Sequence, residues 1–128
     1  MFQRNRATGN TIHGFQVADS RGNTFIHNAA NNNGAVGFAV ELGARQNSFY
    51  RNIARDNGED GFRTVQESIG NSFESNVALD NGWYGFRAEA GPNSFSNNHG
   101  CKNGEGDALD VGSDSKWTNN VFCVAWGH

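Results

Sequence analysis

Three stretches of this chain say nearly the same thing: GNTFIHNAANNNGAVGF (22–38), QNSFYRNIARDNGEDGF (46–62) and GNSFESNVALDNGWYGF (70–86). A phrase recurring at fixed spacing marks an array in which each copy does one structural job. One column holds Asn23, Asn47, Asn71 and Asn93, with Phe25, Phe49, Phe73, Phe95 and finally Trp117 beside it. A second holds Asn5, Asn28, Asn52, Asn76, Asn98 and Asn120, and a third Ala7, Ala30, Ala54, Ala78, Gly100 and Phe122. Asn-Gly pairs at 33–34, 57–58, 81–82 and 103–104 come next, then Gly-Phe pairs at 14–15, 37–38, 61–62 and 85–86. The period is 22 to 24 residues, and the array begins within the first residues, where Phe2, Asn5 and Ala7 already fit it.

Low hydropathy with abundant Asn and 17 Gly suits a disordered chain, but 10 Phe recurring in register do not. At 128 residues the chain is a single domain. The net charge of -3 supplies no basic footprint for nucleic acid or an anionic membrane surface. No stretch approaches the roughly 20 apolar residues of a membrane span, and the first residues contain no signal-peptide core. The start inside the repeat reads as a piece of a longer array or a truncated frame.

Apolar residues pair at spacing two, as in Phe38 and Val40, between Asn and Gly punctuation, which is strand patterning with no helical period. The chain therefore reads as all-β: a parallel β-helix of five to six coils, three short strands per coil, stacked at about 4.8 Å. Stacking explains the repetition, because each side chain sits over its counterpart in the next coil. Two Phe columns fill the interior and small Ala closes the cross-section. Asn at a corner suits the left-handed conformation, and Asn28, Asn52, Asn76, Asn98 and Asn120 form a hydrogen-bonded ladder. Gly after Asn supplies positive φ for the turn. A leucine-rich repeat shares the period but needs several Leu per copy, which this chain lacks.

The phrase N-x-F-x-x-N-x-A-x-x-N-G-x-x-G-F, from Phe2 to about Phe122, resembles right-handed parallel β-helix repeat proteins. That superfamily includes pectate lyases, polygalacturonases, mannuronan C-5 epimerases and phage tailspikes. The resemblance implies a right-handed solenoid and a substrate, where there is one, lying across the outer face of the G-F-x-V strand. The inward residues of that strand are read as Phe15 and Val17, Phe38 and Val40, Phe62 and Thr64, Phe86 and Ala88, then Leu109 and Val111. The outward strip is then Gln16, Ala39, Arg63, Arg87 and Asp110. The Asp-Pro-His signature of the epimerases is absent, as are the Asp-Asp and Gly-His-Gly signatures of the polygalacturonases. No catalytic residue is assigned.

Arg63 and Arg87, one coil apart, suit the carboxylates of a uronic-acid polymer, against the plainer reading of local pairing with Glu on a solvated surface. Trp83 and Tyr84 can stack on a sugar ring or cover the joint between coils. Asp107, Asp110 and Asp114 are a candidate Ca²⁺ set without EF-hand spacing. Cys101 and Cys123 share a column one coil apart, within reach of a disulfide in an oxidising compartment and free thiols in a cytosol. His13, His27, His99 and His128 fall in different columns and read as surface histidines, while Trp126 reads as closing the last coil. An exposed first coil implies continuation of the array or end-to-end self-association. These features favour a non-catalytic module of an extracellular or cell-surface protein, a spacer or polysaccharide-binding surface. A fragment of a uronate-polymer lyase or epimerase, and a trimeric phage-fibre segment, are the alternatives.

Overall fold

The computed structural model of the protein describes residues 1–124; Trp126 and His128 lie outside the described residues. Alternating short apolar groups and polar corners close into a parallel β-helix with three sheets. The first sheet stacks Phe2–Gln3, Thr24–Ile26, Ser48–Tyr50, Ser72–Glu74, Ser94–Ser96 and Lys116–Thr118. The second stacks Arg6–Thr8, Ala29–Asn31, Ile53–Arg55, Val77–Leu79, His99–Cys101 and Val121–Phe122. The third stacks Phe15–Ala18, Phe38–Glu41, Phe62–Thr64, Tyr84–Ala88 and Gly106–Asp110. Every pairing is parallel and joins a strand to its counterpart one coil away, so the sequence repeat and the structural repeat coincide.

Like sits on like inside. Phe2, Phe25, Phe49, Phe73, Phe95 and Trp117 form one face-to-face pile with ring centroids 4.1 to 4.8 Å apart. Phe15, Phe38, Phe62 and Phe86 form the other, at 4.7 to 4.9 Å. The piles meet edge to face at 6.2 to 6.4 Å, an arrangement that suits the ring quadrupole. With two Phe in each cross-section, the second sheet has room for a methyl group, and Ala30, Ala54 and Ala78 are fully buried there.

Three amide ladders, rather than one, run through the corners. In the Asn28 column, each backbone N–H and Nδ2 donates to Oδ1 of the Asn in the following coil, at 2.8 to 3.2 Å. Nδ2 spends its second proton on a carbonyl of the preceding coil, as from Asn52 to Phe25 at 2.9 Å. Asn23, Asn47, Asn71 and Asn93 repeat the pattern, and so do Asn10, Asn33, Asn57, Asn81 and Asn103. Buried amides this fully partnered escape the desolvation cost of an unmade bond, about 1–3 kcal/mol per group.

Two local expectations are corrected. The left-handed residue precedes the ladder Asn and is usually not Asn: Arg4, His27, Arg51 and Ser75 have φ of 57°, 56°, 57° and 59°. The Gly of the Asn-Gly pair is required by close approach, since a Cβ on Gly58 would lie 2.2 Å from the carbonyl oxygen of Gly34. The backbone sharpness assigned to that Gly is supplied one position before the Asn instead, as at Asp56 with φ 56°.

The last coil reaches closure with different residues. Tyr84 pairs with Gly106 and Phe86 with Ala108, so Ala108 and Asp110 continue the inward column, not Leu109 and Val111. The spacing from Asn81 to Phe86 recurs from Asn103 to Ala108, whereas apolar alternation points one residue further. Phe122 enters from the second sheet into the space left by the missing third-sheet ring, 5.9 Å from Phe86 and 6.1 Å from Trp117. Gly100 makes this possible: its missing Cβ would stand 3.1 Å from the Phe122 ring. A disulfide joins Cys101 to Cys123, with Cα atoms 5.0 Å apart, and ties this coil to the one before.

Candidate functional site

The outer face of the third sheet carries the most concentrated charge. Strand pairing sets Gln16, Ala39, Arg63, Arg87 and Leu109 in one outward row. Asp60, in the turn before Phe62–Thr64, is fully buried beneath it. Its Oδ1 accepts a hydrogen bond from the Tyr84 N–H at 3.0 Å. Its Oδ2 lies 3.1 Å from Arg87 Nε and 3.7 Å from Arg63 Nη1. Those are ion-pair distances, but the angles leave Oδ2 and the Arg87 Nε without an aligned hydrogen bond. Arg63 also meets Glu59 at 3.3 Å, and Arg87 meets Glu89 at 3.2 Å.

Three carboxylates therefore surround two guanidinium groups along two coils, and both arginine side chains are largely covered. Burial pushes the Asp60 carboxyl up to about 6, against the opposing pull of Arg87, the Tyr84 N–H and Arg63. The Arg87 guanidinium also lies over Trp83 at 5.4 Å and Tyr84 at 5.8 Å from the ring centroids. Tyr84 is buried, whereas Trp83 is 38% exposed and presents the available aromatic surface at this spot. Sequence reasoning named Arg63 and Arg87 on the outer strip and Trp83 and Tyr84 as separate candidates, and missed Asp60. Its position one residue before the Gly-Phe pair, where the neighbouring coil has Val36, was the available signal.

Other candidates take separate places. Gln16 hydrogen-bonds Glu41 at the first-coil end of the row. Asp110, expected on the outward strip, stands in the inward column opposite Ala88. Burial raises its carboxyl pKa, but hydrogen bonds from Ser113 and Trp117 Nε1 (2.8 Å) hold it below the usual value. Asp107 accepts both donors of Asn103 on Oδ1 and the Val124 N–H on Oδ2. Asp114 is exposed with φ 57°. Among the described residues no three His, Cys, Asp or Glu side chains converge as a metal-binding group. His27 and His99 are exposed, but His13 is half-buried and accepts the Val36 N–H on Nδ1 at 3.2 Å. Among the described residues no helix is long and apolar enough to cross a membrane.

No curated protein matches the chain. The solved structure of the periplasmic alginate epimerase AlgG is similar, with a TM-score of 0.86 and 19% identity over 92% of this chain and 32% of that one. A mutant of AlgG gives 0.87 and 19% over the same shares, and a double mutant gives 0.79 and 14% over 94% and 39%. The chain spans about a third of the AlgG chain, and at this identity the likeness carries the fold. The family described as right handed beta helix region matches residues 1–122, and this chain belongs to it.

Proposed function

We propose that this chain is a non-catalytic β-helix module, a rigid spacer whose lateral surface binds an acidic polysaccharide. The observation that carries this reading is the closure of the Asp60 cluster. A lyase, epimerase or glycosidase site needs acid and base groups facing the substrate, with a free cation for a uronate carboxylate. Here the buried carboxylate is enclosed by the two guanidinium groups that would otherwise serve as that cation. Continuous ladders and ring piles supply stiffness along the axis. The Cys101–Cys123 bond favours an oxidising compartment, extracellular or periplasmic, and AlgG is itself periplasmic.

A portion of a uronate-polymer epimerase or lyase is the second reading, favoured by the likeness to an alginate epimerase along about a third of that chain. Alginate, polygalacturonate and neutral glycans, with and without Ca²⁺, separate the two. Binding would be followed by calorimetry, elimination by ultraviolet absorbance of unsaturated uronates, and C-5 inversion by proton NMR. Binding of an acidic polymer with no turnover is expected. Elimination or inversion that disappears in Arg87→Ala would overturn the module reading in favour of the enzyme.

A further inference from the structure

The arginines best placed for an anion are not those of the outward row. Arg21 and Arg45 occupy the corner between the third and first sheets, one coil apart, joined by an isolated parallel bridge that continues from Arg45 to Ile69. Matching positions stand about 4.8 Å apart, so the two side chains leave the backbone side by side. Both residues are exposed. Among the described residues neither guanidinium has an ion-pair or hydrogen-bond partner, whereas Arg63 and Arg87 are surrounded by carboxylates.

The backbone beneath them is fixed on several sides. The Arg45 N–H donates to the Ser20 carbonyl at 3.0 Å, and Gly22 N–H donates to the Arg45 and Gln46 carbonyls at 3.3 and 3.2 Å. The ladder amide of Asn47 reaches the same Ser20 carbonyl at 3.2 Å. The pair forms a ridge between two shallow depressions of about 130 and 240 Å³. Asp19 and Ser20 lie on one side, and Ile69 and Gly70 on the other. Asp19 is the single carboxylate lining either depression, so the ridge retains a net positive charge.

We propose that Arg21 and Arg45 form an anion-binding ridge that grips carboxylate or sulfate groups of an acidic glycan. An anion bridging the two guanidiniums relieves their mutual repulsion and accepts charge-assisted hydrogen bonds from both. Ile69 offers an apolar contact for a sugar ring beside the charge. This inference rests on the polysaccharide-binding reading and deepens it by naming the group recognised and the place.

The test is calorimetric titration of the 128-residue chain at low ionic strength with a hexuronate oligosaccharide, inorganic sulfate and a neutral glucan oligosaccharide. The hexuronate should bind and the glucan should not. Arg21→Gln and Arg45→Gln should each weaken binding about tenfold, equivalent to about 1.4 kcal/mol. Arg55→Gln, whose arginine already meets Asp56 at 3.7 Å on the second sheet, should leave it unchanged. Asp19→Asn should tighten binding by removing the competing carboxylate, at a φ of 47° that Asn tolerates. Added salt should weaken it. Hexuronate binding that survives in the double Arg variant overturns the ridge and leaves the polysaccharide reading standing. No binding of any oligosaccharide overturns both, and so does binding of sulfate alone, which makes the ridge a free-anion site. Equal binding of the glucan overturns the charge argument.

Discussion

The third coil and the last coil enclose the same kind of interior by different means. Around residues 46–69, two stacked rings, an Ala methyl and three amides repeat what lies on either side. Toward the end, the coil that starts at Ser94 replaces the third-sheet ring by Ala108 and the second-sheet methyl by Gly100, and Phe122 of the following strand fills the void. Ladders there end on Ser115 and Asp107 rather than on another Asn. In the middle each ring, methyl and ladder amide of the interior is matched to an identical neighbour on both sides. At the end, closure depends on a few compensating substitutions, a disulfide, and side chains that remain partly open to water. Repetition thus secures the interior, and the terminal coil requires separate solutions.

The sharpest way to break that comparison is truncation of a ring in each region. Phe62→Ala should cost about 3–5 kcal/mol, and Phe122→Ala, half-buried, about 2 kcal/mol, read from urea midpoints at constant m. Equal losses would mean the last coil is as tightly enclosed as the middle. Asn52→Ala should cost about 3 kcal/mol because donors and acceptors in both adjoining coils lose their partner, against about 1 kcal/mol for the terminal Asn120→Ala. Reduction of Cys101–Cys123, or its replacement by two Ala, should cost about 3 kcal/mol, with faster amide exchange confined to residues 99–124. Uniform acceleration along all coils would contradict the separate character of the end.

A pH-dependent effect concerns charge. Asp60 titrates at about 6 in the folded chain against 3.8 when free. Between about pH 4 and 6 the unfolded chain has released this proton while the folded chain keeps it. Asp60 therefore makes stability fall as pH rises through that window and level off above it, by no more than about 2–3 kcal/mol. Asp60→Asn should remove this component from the pH profile of urea unfolding. An unchanged slope would show that the guanidinium groups already compensate the buried charge.

Columns of identical residues were legible because identity between coils is itself the structural signal. Ring piles, Ala contacts and the Asn28 ladder could be read directly, whereas the Asn33 column looked like a turn and the Asn23 column carried no assigned role, and both prove to be ladders as well. The left-handed corner residues were not legible, since Arg4, His27, Arg51 and Ser75 share no chemistry, only a position. The last-coil register was misread because Leu109 and Val111 imitate inward alternation, while Val111 is 56% exposed. At the site, Arg63 and Arg87 were visible as a pair and their pairing with Glu was the plainer reading, but the buried carboxylate between them was not legible, because Asp60 occupies its position in one coil alone.

The ladders also give the solenoid a direction. In all three columns the side-chain oxygen faces the earlier coil, and the backbone N–H that it accepts points toward the later one. Summed over the coils, these amides form an axial dipole whose negative pole lies at the first coil, the reverse of an α-helix. Formal charge runs against this dipole, as charges do at the ends of a helix: residues 1–57 contain six arginines and three carboxylates, and residues 58–128 contain four cations and ten carboxylates. Asp107 places an anion on the last donors of the third column, as an N-cap does on the first donors of a helix. Formal charge thereby complements the direction of the ladders, and the two ends of the stack are chemically distinct to any charged chain that lies alongside.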